Sequence, residues 1–289
     1  MSAPDPARRV LDGDMDDVAV YAFGTGVVGL FSCRSPGRER ANEDSAALLP
    51  FDATSGVLAV ADGMGGERGG ARASSLAIDS LETALDEARR EGWMLRTAIL
   101  NGFERANEAI CEMGVGAGTT LAAVEIADDS IRPYHVGDSL ILQIGQRGKL
   151  KLQTVAHSPV GFAVESGLLD EGEAMHHEHR HLVSNVLGAA DMRIEVGSQR
   201  RIAPRDTLLL ASDGLSDNLR TEEIVALLRT GPLEIACERL AELARARMHA
   251  PNEEEPSKPD DLTFVAYRAT TRAARGARSS DGHRASRDR

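Results

Sequence analysis

Apolar residues in this chain follow two rhythms. Ala77, Leu81, Leu85 and Ala88 recur at helical spacing, and Leu95, Ile99, Phe103, Ala106, Ile110 and Met113 alternate steps of four and three. These stripes predict helices over 69–90 and from Leu95 to Met113, with the apolar faces packed on a core. Elsewhere the apolar runs are short, and they predict strands. One or two lie within 18–33, then one each over 45–49 and 56–61. Four more follow over 118–126, 130–135, 140–145 and 150–155. Only short polar turns separate these four, so they join antiparallel neighbours and leave no room for crossover helices. The segment 160–181 is polar, with short helices expected near 163–167 and 170–176. Strands over 195–201 and 207–211, helices over 221–228 and 233–248, a Pro- and Glu-rich loop over 249–259 and a closing strand over 262–267 complete the pattern. The expected fold is α+β: antiparallel sheets packed together with helices outside.

The two ends lack this patterning. Residues 1–17 carry Pro4, Pro6 and an acidic run from Asp12 to Asp17, and are expected to form a flexible tail. Residues 18–268 are expected to form one domain. From Ala269 to Arg289 the chain is mainly Arg, Ser, Gly and Asp, and a disordered, solvated basic tail is expected.

Composition narrows the function. The formal net charge is −12 and the pI about 5.2, which argues against nucleic acid and anionic membrane as partners. Cys33, Cys111 and Cys237 lie far apart, with no CxxC pair, so neither a disulfide framework nor a thiolate metal site is expected. The N-terminus lacks a signal-peptide layout. The apolar run 18–31 is too short and glycine-rich to span a bilayer. The expected location is the cytoplasm.

The candidate chemistry lies where strands stop. The run Leu58-Ala-Val-Ala ends at Asp62-Gly63 and a glycine-dense turn, and comparable breaks recur at Asp138, Asp213 and Asp260. A single Asp-Gly pair is an ordinary turn; the repetition gives these pairs their interest. Glu43 and Asp44 flank another strand. Carboxylates with a backbone carbonyl form a hard oxygen environment suited to Mg²⁺ or Mn²⁺, and no recurring His or Cys points to zinc. Crowded carboxylates repel one another unless cations neutralise them. Two divalent ions would do so and could hold a hydroxide for in-line attack on phosphorus. Arg38 and Arg40 are available to grip phosphate oxygens.

Six ordered motifs sharpen this picture. They are Arg40-Ala-Asn-Glu-Asp44, Val60-Ala-Asp-Gly-Met-Gly-Gly66, Gly118-Thr-Thr120, Val136-Gly-Asp-Ser139, Ala211-Ser-Asp-Gly-Leu215 and Asp260-Asp-Leu-Thr263. Together, over about 18–268, they resemble the metal-dependent type 2C (PPM) serine/threonine protein phosphatases. That resemblance implies a β-sandwich of two antiparallel sheets flanked by helices on both sides. It implies that Asp62 bridges two metal ions, with Gly63 offering its carbonyl, Asp213 and Asp260 completing the first metal, and Glu43 on the second. Asp44 would orient water, and Asp138 with Asp213 would hold a weaker third ion. Thr119 and Thr120 would pack beneath the site. Implied partners are phosphorylated proteins, with a Ser/Thr kinase and its substrates on the opposing side.

The sequence also departs from the family. The phosphate-binding arginine usually lies five residues before the position of Asp44; that place is Glu39, between Arg38 and Arg40. Arg40 is favoured, with Arg38 the alternative. Met64 stands where some members have a proton-donating His. Asp261 replaces the usual Asn and could tighten metal binding or face solvent. Segment 160–181 matches the family's flap, beside the site. Its run from His176 to His181 suits exposed or structural histidines better than zinc. Two other readings stand beside the enzyme: a pseudophosphatase that binds phosphoproteins or a kinase without turnover, and an unrelated two-metal hydrolase of small phosphate esters.

Overall fold

The computed structural model describes residues 6–65, 69–175, 177–180, 182–250 and 255–270. In chain order the first elements are strands β1 (Arg8–Leu11), β2 (Ala19–Phe23), β3 (Gly26–Cys33), β4 (Asp44–Pro50) and β5 (Ser55–Met64), then helices α1 (Gly69–Glu91) and α2 (Leu95–Glu112). Strands β6 (Gly118–Thr119), β7 (Leu121–Ala127), β8 (Ser130–Val136), β9 (Leu140–Ile144) and β10 (Leu150–Gln153) follow, then helices α3 (Pro159–Glu165) and α4 (Glu171–Met175). The last third holds β11 (Glu195–Val196), β12 (Arg200–Arg201), β13 (Thr207–Ala211), α5 (Asp213–Ser216), α6 (Thr221–Leu228), α7 (Leu233–His249) and β14 (Leu262–Ala269).

Among the described residues the strands form two antiparallel sheets. One runs β1-β4-β5-β7-β8-β11, with β6 on β5 and β12 on β8; the other runs β10-β9-β13-β14-β3-β2. Side chains alternate across each strand, so one strand serves two cores. In β5, Val57, Ala59 and Ala61 face α1 and α2 and meet Leu81, Leu85 and Phe103. Leu58 and Val60 face the second sheet and meet Leu30, Leu210 and Val265. On the far side, Leu228, Leu240 and Ala244 of α6 and α7 cover Phe31, Leu142 and Phe264. The result is four layers, αββα. Burial on both faces explains why these strands read as unbroken apolar runs.

The flexible N-terminal tail expected over 1–17 is corrected by β1. Its four residues pair antiparallel with β4, Arg8 opposite Leu48 through Leu11 opposite Ser45. Val10 and Leu11 pack on the cores either side of the sheet. Met15 N–H then donates to Ser32 O at 2.8 Å, tying the segment to β3. Residues 1–5 lie outside the described residues. The strand expected over 195–201 is two short pieces on β8. The disordered tail expected from Ala269 falls at 271–289, outside the described residues; Ala269 itself closes β14.

Candidate metal centre and active site

The antiparallel registers bring distant acidic residues to one rim of the sandwich. Asp44 opens β4 and lies directly opposite Asp62 near the end of β5. Ala211, the last residue of β13, pairs with Phe264 near the start of β14. The chain therefore leaves β13 into Ser212-Asp213 close to where Asp260-Asp261 enters β14. Asp138 lies in the turn between β8 and β9.

The electrostatics reflect this crowding. Burial, then the charges of Asp44, Asp213, Asp138 and Asp260, raise the Asp62 carboxyl well above its ordinary value. Burial dominates at Asp44 too, raising it well above the carboxylate range, with Asp261 and Asp213 adding to the rise and a Ser212 hydrogen bond opposing it. Asp138 is pushed up to about 7 by burial and then by Asp213. Asp260 is raised by burial and Asp213 against the pull of Lys258. Asp62, Asp44, Asp138, Asp213 and Asp260 thus share one field. Glu43 joins its edge, raised by burial and held back by Arg40.

Two further observations test whether cations fit here. Glu43 Oε1 and Asp44 Oδ1 are buried and have no hydrogen-bond partner, a costly arrangement for carboxylate oxygens unless a cation or the water it binds meets them. Gly63 is cradled so closely that a Cβ would overlap Gly70 O and stand 2.6 Å from Glu43 O. Only glycine permits this approach of backbone to the Glu43 loop, and Gly63 N–H donates to Glu43 O at 3.1 Å. The donor set is all oxygen, which suits a hard divalent ion.

Hydrogen bonds fix these carboxylates from below. Ser212 Oγ donates to Asp44 Oδ2 at 2.7 Å, and Asp44 N–H donates to Asn42 Oδ1 at 2.8 Å. Thr119 Oγ1 donates to Asp62 O at 2.9 Å, and Thr120 Oγ1 accepts from Asp62 N–H at 3.0 Å. Both threonines are buried beneath the site, as expected.

Asp261 does not face solvent, which corrects one of its two expectations: it is 5% exposed, and its two oxygens accept backbone bonds. Ser35 N–H reaches Oδ1 at 2.7 Å and Glu43 N–H reaches Oδ2 at 2.8 Å. One carboxylate thereby pins both ends of the loop carrying Arg38 and Arg40. Arg40 Nη1 lies 2.5 Å from Glu43 Oε2, and its Nε is buried without a partner. Arg38 is more exposed, with Nη1 3.8 Å from Asp260 Oδ1.

Two residues at the site escaped the sequence reading. Lys258 Nζ lies 2.8 Å from Asp213 Oδ2, 2.7 Å from Asp217 Oδ2 and 3.1 Å from Asp260 Oδ2. Asp217 is pushed up to about 6 by burial and then by Asp213. Its signal was available: it follows Asp213 by one helical turn and so falls on the same face.

Beside the acidic rim, a cleft of about 370 Å³ is lined by Asp138, Asp213 and Asp217 on one side and by Val160, Val164, Met175 and Arg180 of the flap on the other. His177 and His179 are 5.6 Å apart between ring centroids; His176 and His181 lie outside the described residues. A different histidine pair, His135 and His157, stacks at 4.4 Å with Glu195 close by. His157 Nδ1 accepts Gly137 N–H at 3.1 Å, which places the ring proton on Nε2, facing Glu195 Oε2 at 3.1 Å. His157 O also accepts from Ser184. This pair braces the flap against the turn carrying Asp138. A metal ion there would have to displace the bonded proton.

The family profile described as protein phosphatase 2C matches residues 37–258. The chain belongs to the protein phosphatase 2C family. The match takes in every candidate site residue except Asp260 and Asp261, which lie just beyond it after Pro259. A serine/threonine phosphatase, stp, of Listeria monocytogenes is 31% identical over 200 residues, covering 65% of this chain and 78% of that protein. The structure of the serine/threonine phosphatase of S. agalactiae superposes with a TM-score of 0.72 at 29% identity, over 84% of this chain and 98% of that one. The catalytic domain of PstP, crystallised in complex with 2 manganese ions, gives a TM-score of 0.65 at 29% identity, over 84% and 98%. These neighbours share the αββα architecture. No helix among the described residues is long and apolar enough to cross a membrane.

Proposed function

We propose that this type 2C phosphatase hydrolyses phosphoserine and phosphothreonine in proteins, using a pair of Mg²⁺ or Mn²⁺ ions, and that it opposes a serine/threonine kinase in the cytoplasm. The observation that carries the reading is the shared field of carboxylates centred on Asp62. The manganese ions bound by the similar PstP domain support the choice of metal.

In this reading Asp62 and the Gly63 carbonyl would help hold the ions, with Asp213 and Asp260 serving one and Glu43 the other. When bound, the ions supply an activated water nucleophile and an electrophile for the phosphoryl oxygens. Asp44 is held at Oδ2 by Ser212, which leaves Oδ1 to orient the attacking water. Arg40 grips the phosphate: its guanidinium is half-buried at the rim, and its Nε is unpaired. Met64, at the end of β5, has no proton to give. The flanking cleft takes residues next to the phosphorylated one, with Arg180 at its edge.

The test is hydrolysis of a phosphothreonine peptide. Activity is expected with Mn²⁺, lost in chelator and recovered on adding metal back. Arg40→Ala should raise KM by about tenfold, the value of one charge-assisted pair, and by more than Arg38→Ala. The reverse ranking would assign phosphate to Arg38. Tight peptide binding without product would favour the binding-only pseudophosphatase, and a preference for nitrophenyl phosphate over peptides would favour a small-ester hydrolase.

A further inference from the structure

We propose that the ammonium of Lys258 is the built-in cation of the cluster formed by Asp138, Asp213 and Asp217, standing where a third divalent ion would otherwise bind. The chain would then take up two such ions and no third. This rests on the two-ion reading above and refines it.

The geometry is specific. Of its three N–H donors, the Lys258 ammonium gives one to Asp213 Oδ2 at 2.8 Å and one to Asp217 Oδ2 at 2.7 Å, and it forms an ion pair with Asp260 Oδ2 at 3.1 Å. The lysine is built in rather than draped over the surface. Its N–H donates to Asn218 Oδ1 at 2.8 Å, and its C=O accepts from Asn218 Nδ2 at 2.9 Å. Asn218 is fully buried and also donates to Gly214 O at 2.8 Å. The backbone of Lys258 is thereby locked to the turn carrying Asp213 and Asp217. On its N-terminal side, Ser257 Oγ donates to Arg247 O at 2.8 Å; on the other, Pro259 stiffens the approach to Asp260.

The same contacts separate the roles of the carboxylate oxygens. The ammonium engages Oδ2 of Asp213 and of Asp260. The Oδ1 atoms remain for an ion, and Asp260 Oδ1 accepts Asp261 N–H at 3.0 Å. A divalent ion of Mg²⁺ type needs oxygens at about 2.0–2.1 Å, so it cannot share the point where Nζ sits. Its charge would also be repelled by the ammonium at close range. Asp138 lines the same cleft as Asp213 and Asp217, and the charge of Lys258 acts on it against the larger effects of burial and Asp213.

Calorimetric Mn²⁺ titration with metal analysis after dialysis tests this on the full chain. The wild type should saturate at two ions, and Lys258→Met at three, the third weaker than the others. Lys258→Arg keeps the charge and should stay at two. Metal-free Lys258→Met should melt lower than the wild type and regain more on adding Mn²⁺. A third ion in the wild type, bound as tightly as in Lys258→Met, would overturn the inference by showing that the lysine swings aside. Lys258→Met remaining at two ions would overturn it as well. If Lys258→Met does not fold, manganese counting on the wild type alone decides: two ions support the inference and three overturn it. Absence of any bound ion in the folded wild type would instead defeat the two-ion reading itself.

Discussion

Asp62→Asn should lower kcat/KM for a phosphothreonine peptide by about a thousandfold or more, the scale expected when metal-assisted chemistry loses a ligand. Asparagine keeps the shape of the side chain and removes its charge. The backbone bonds at this position, from Asp62 N–H to Thr120 and from Thr119 to Asp62 O, do not depend on the carboxylate. The fold should therefore survive. Metal-free stability should in fact rise, because Asp62 is opposed by Asp44, Asp213, Asp138 and Asp260. Relief of about 1–2 kcal/mol of repulsion corresponds to a Tm higher by roughly 2–8 °C for a domain of this size. Loss of activity with a raised or unchanged metal-free Tm separates a lost ligand from a lost fold. A variant that hydrolyses the peptide as fast as the wild type would remove Asp62 from the chemistry.

The second large effect is expected at a residue that touches no substrate. Asp261→Ala leaves Ser35 N–H and Glu43 N–H without their carboxylate partner. Each unsatisfied buried donor costs about 1–3 kcal/mol, so a loss of roughly 2–6 kcal/mol is expected, or about 4–24 °C in Tm. The loop from Ser35 to Glu43 also sets the position of Arg40, so KM should rise while metal affinity changes less. Asp261→Asn keeps one acceptor oxygen and should fall between the two. Thermal melts alongside KM measurements check this. A variant that melts with the wild type would mean that water or a shifted loop satisfies both amides.

These two residues also show what the sequence could and could not reveal. Asp62 was legible because a carboxylate at the end of an apolar run, followed by glycines, has few local explanations once the design recurs. Asp213, before Gly214, was legible for the same reason; Asp44, Asp138 and Asp260 were legible as carboxylates flanking apolar strand segments, and both long helices were legible because their stripes are local and periodic. Asp261 was visible as a departure, but its role depends on a loop more than two hundred residues away in the chain, and no local pattern encodes that contact. Lys258 was hidden by its setting in a polar loop without periodicity. Its place is fixed by Asn218, a tertiary contact. Strand β1 escaped for a related reason: four residues with two arginines carry too little apolar signal, and the pairing with β4 makes the strand. Local rules thus delivered the carboxylates that cluster at the rim, whereas the supports that hold them are long-range.

Strand ends scattered through the chain are expected to converge on a pair of cations with Asp62 between them. Crystals grown with Mn²⁺ and measured near the manganese absorption edge test it most directly. Two anomalous peaks about 3.5–4 Å apart are expected, both against Asp62, with Asp213 and Asp260 on one and Glu43 and the Gly63 carbonyl on the other. A single peak, or peaks that leave Asp62 without a metal, would contradict it.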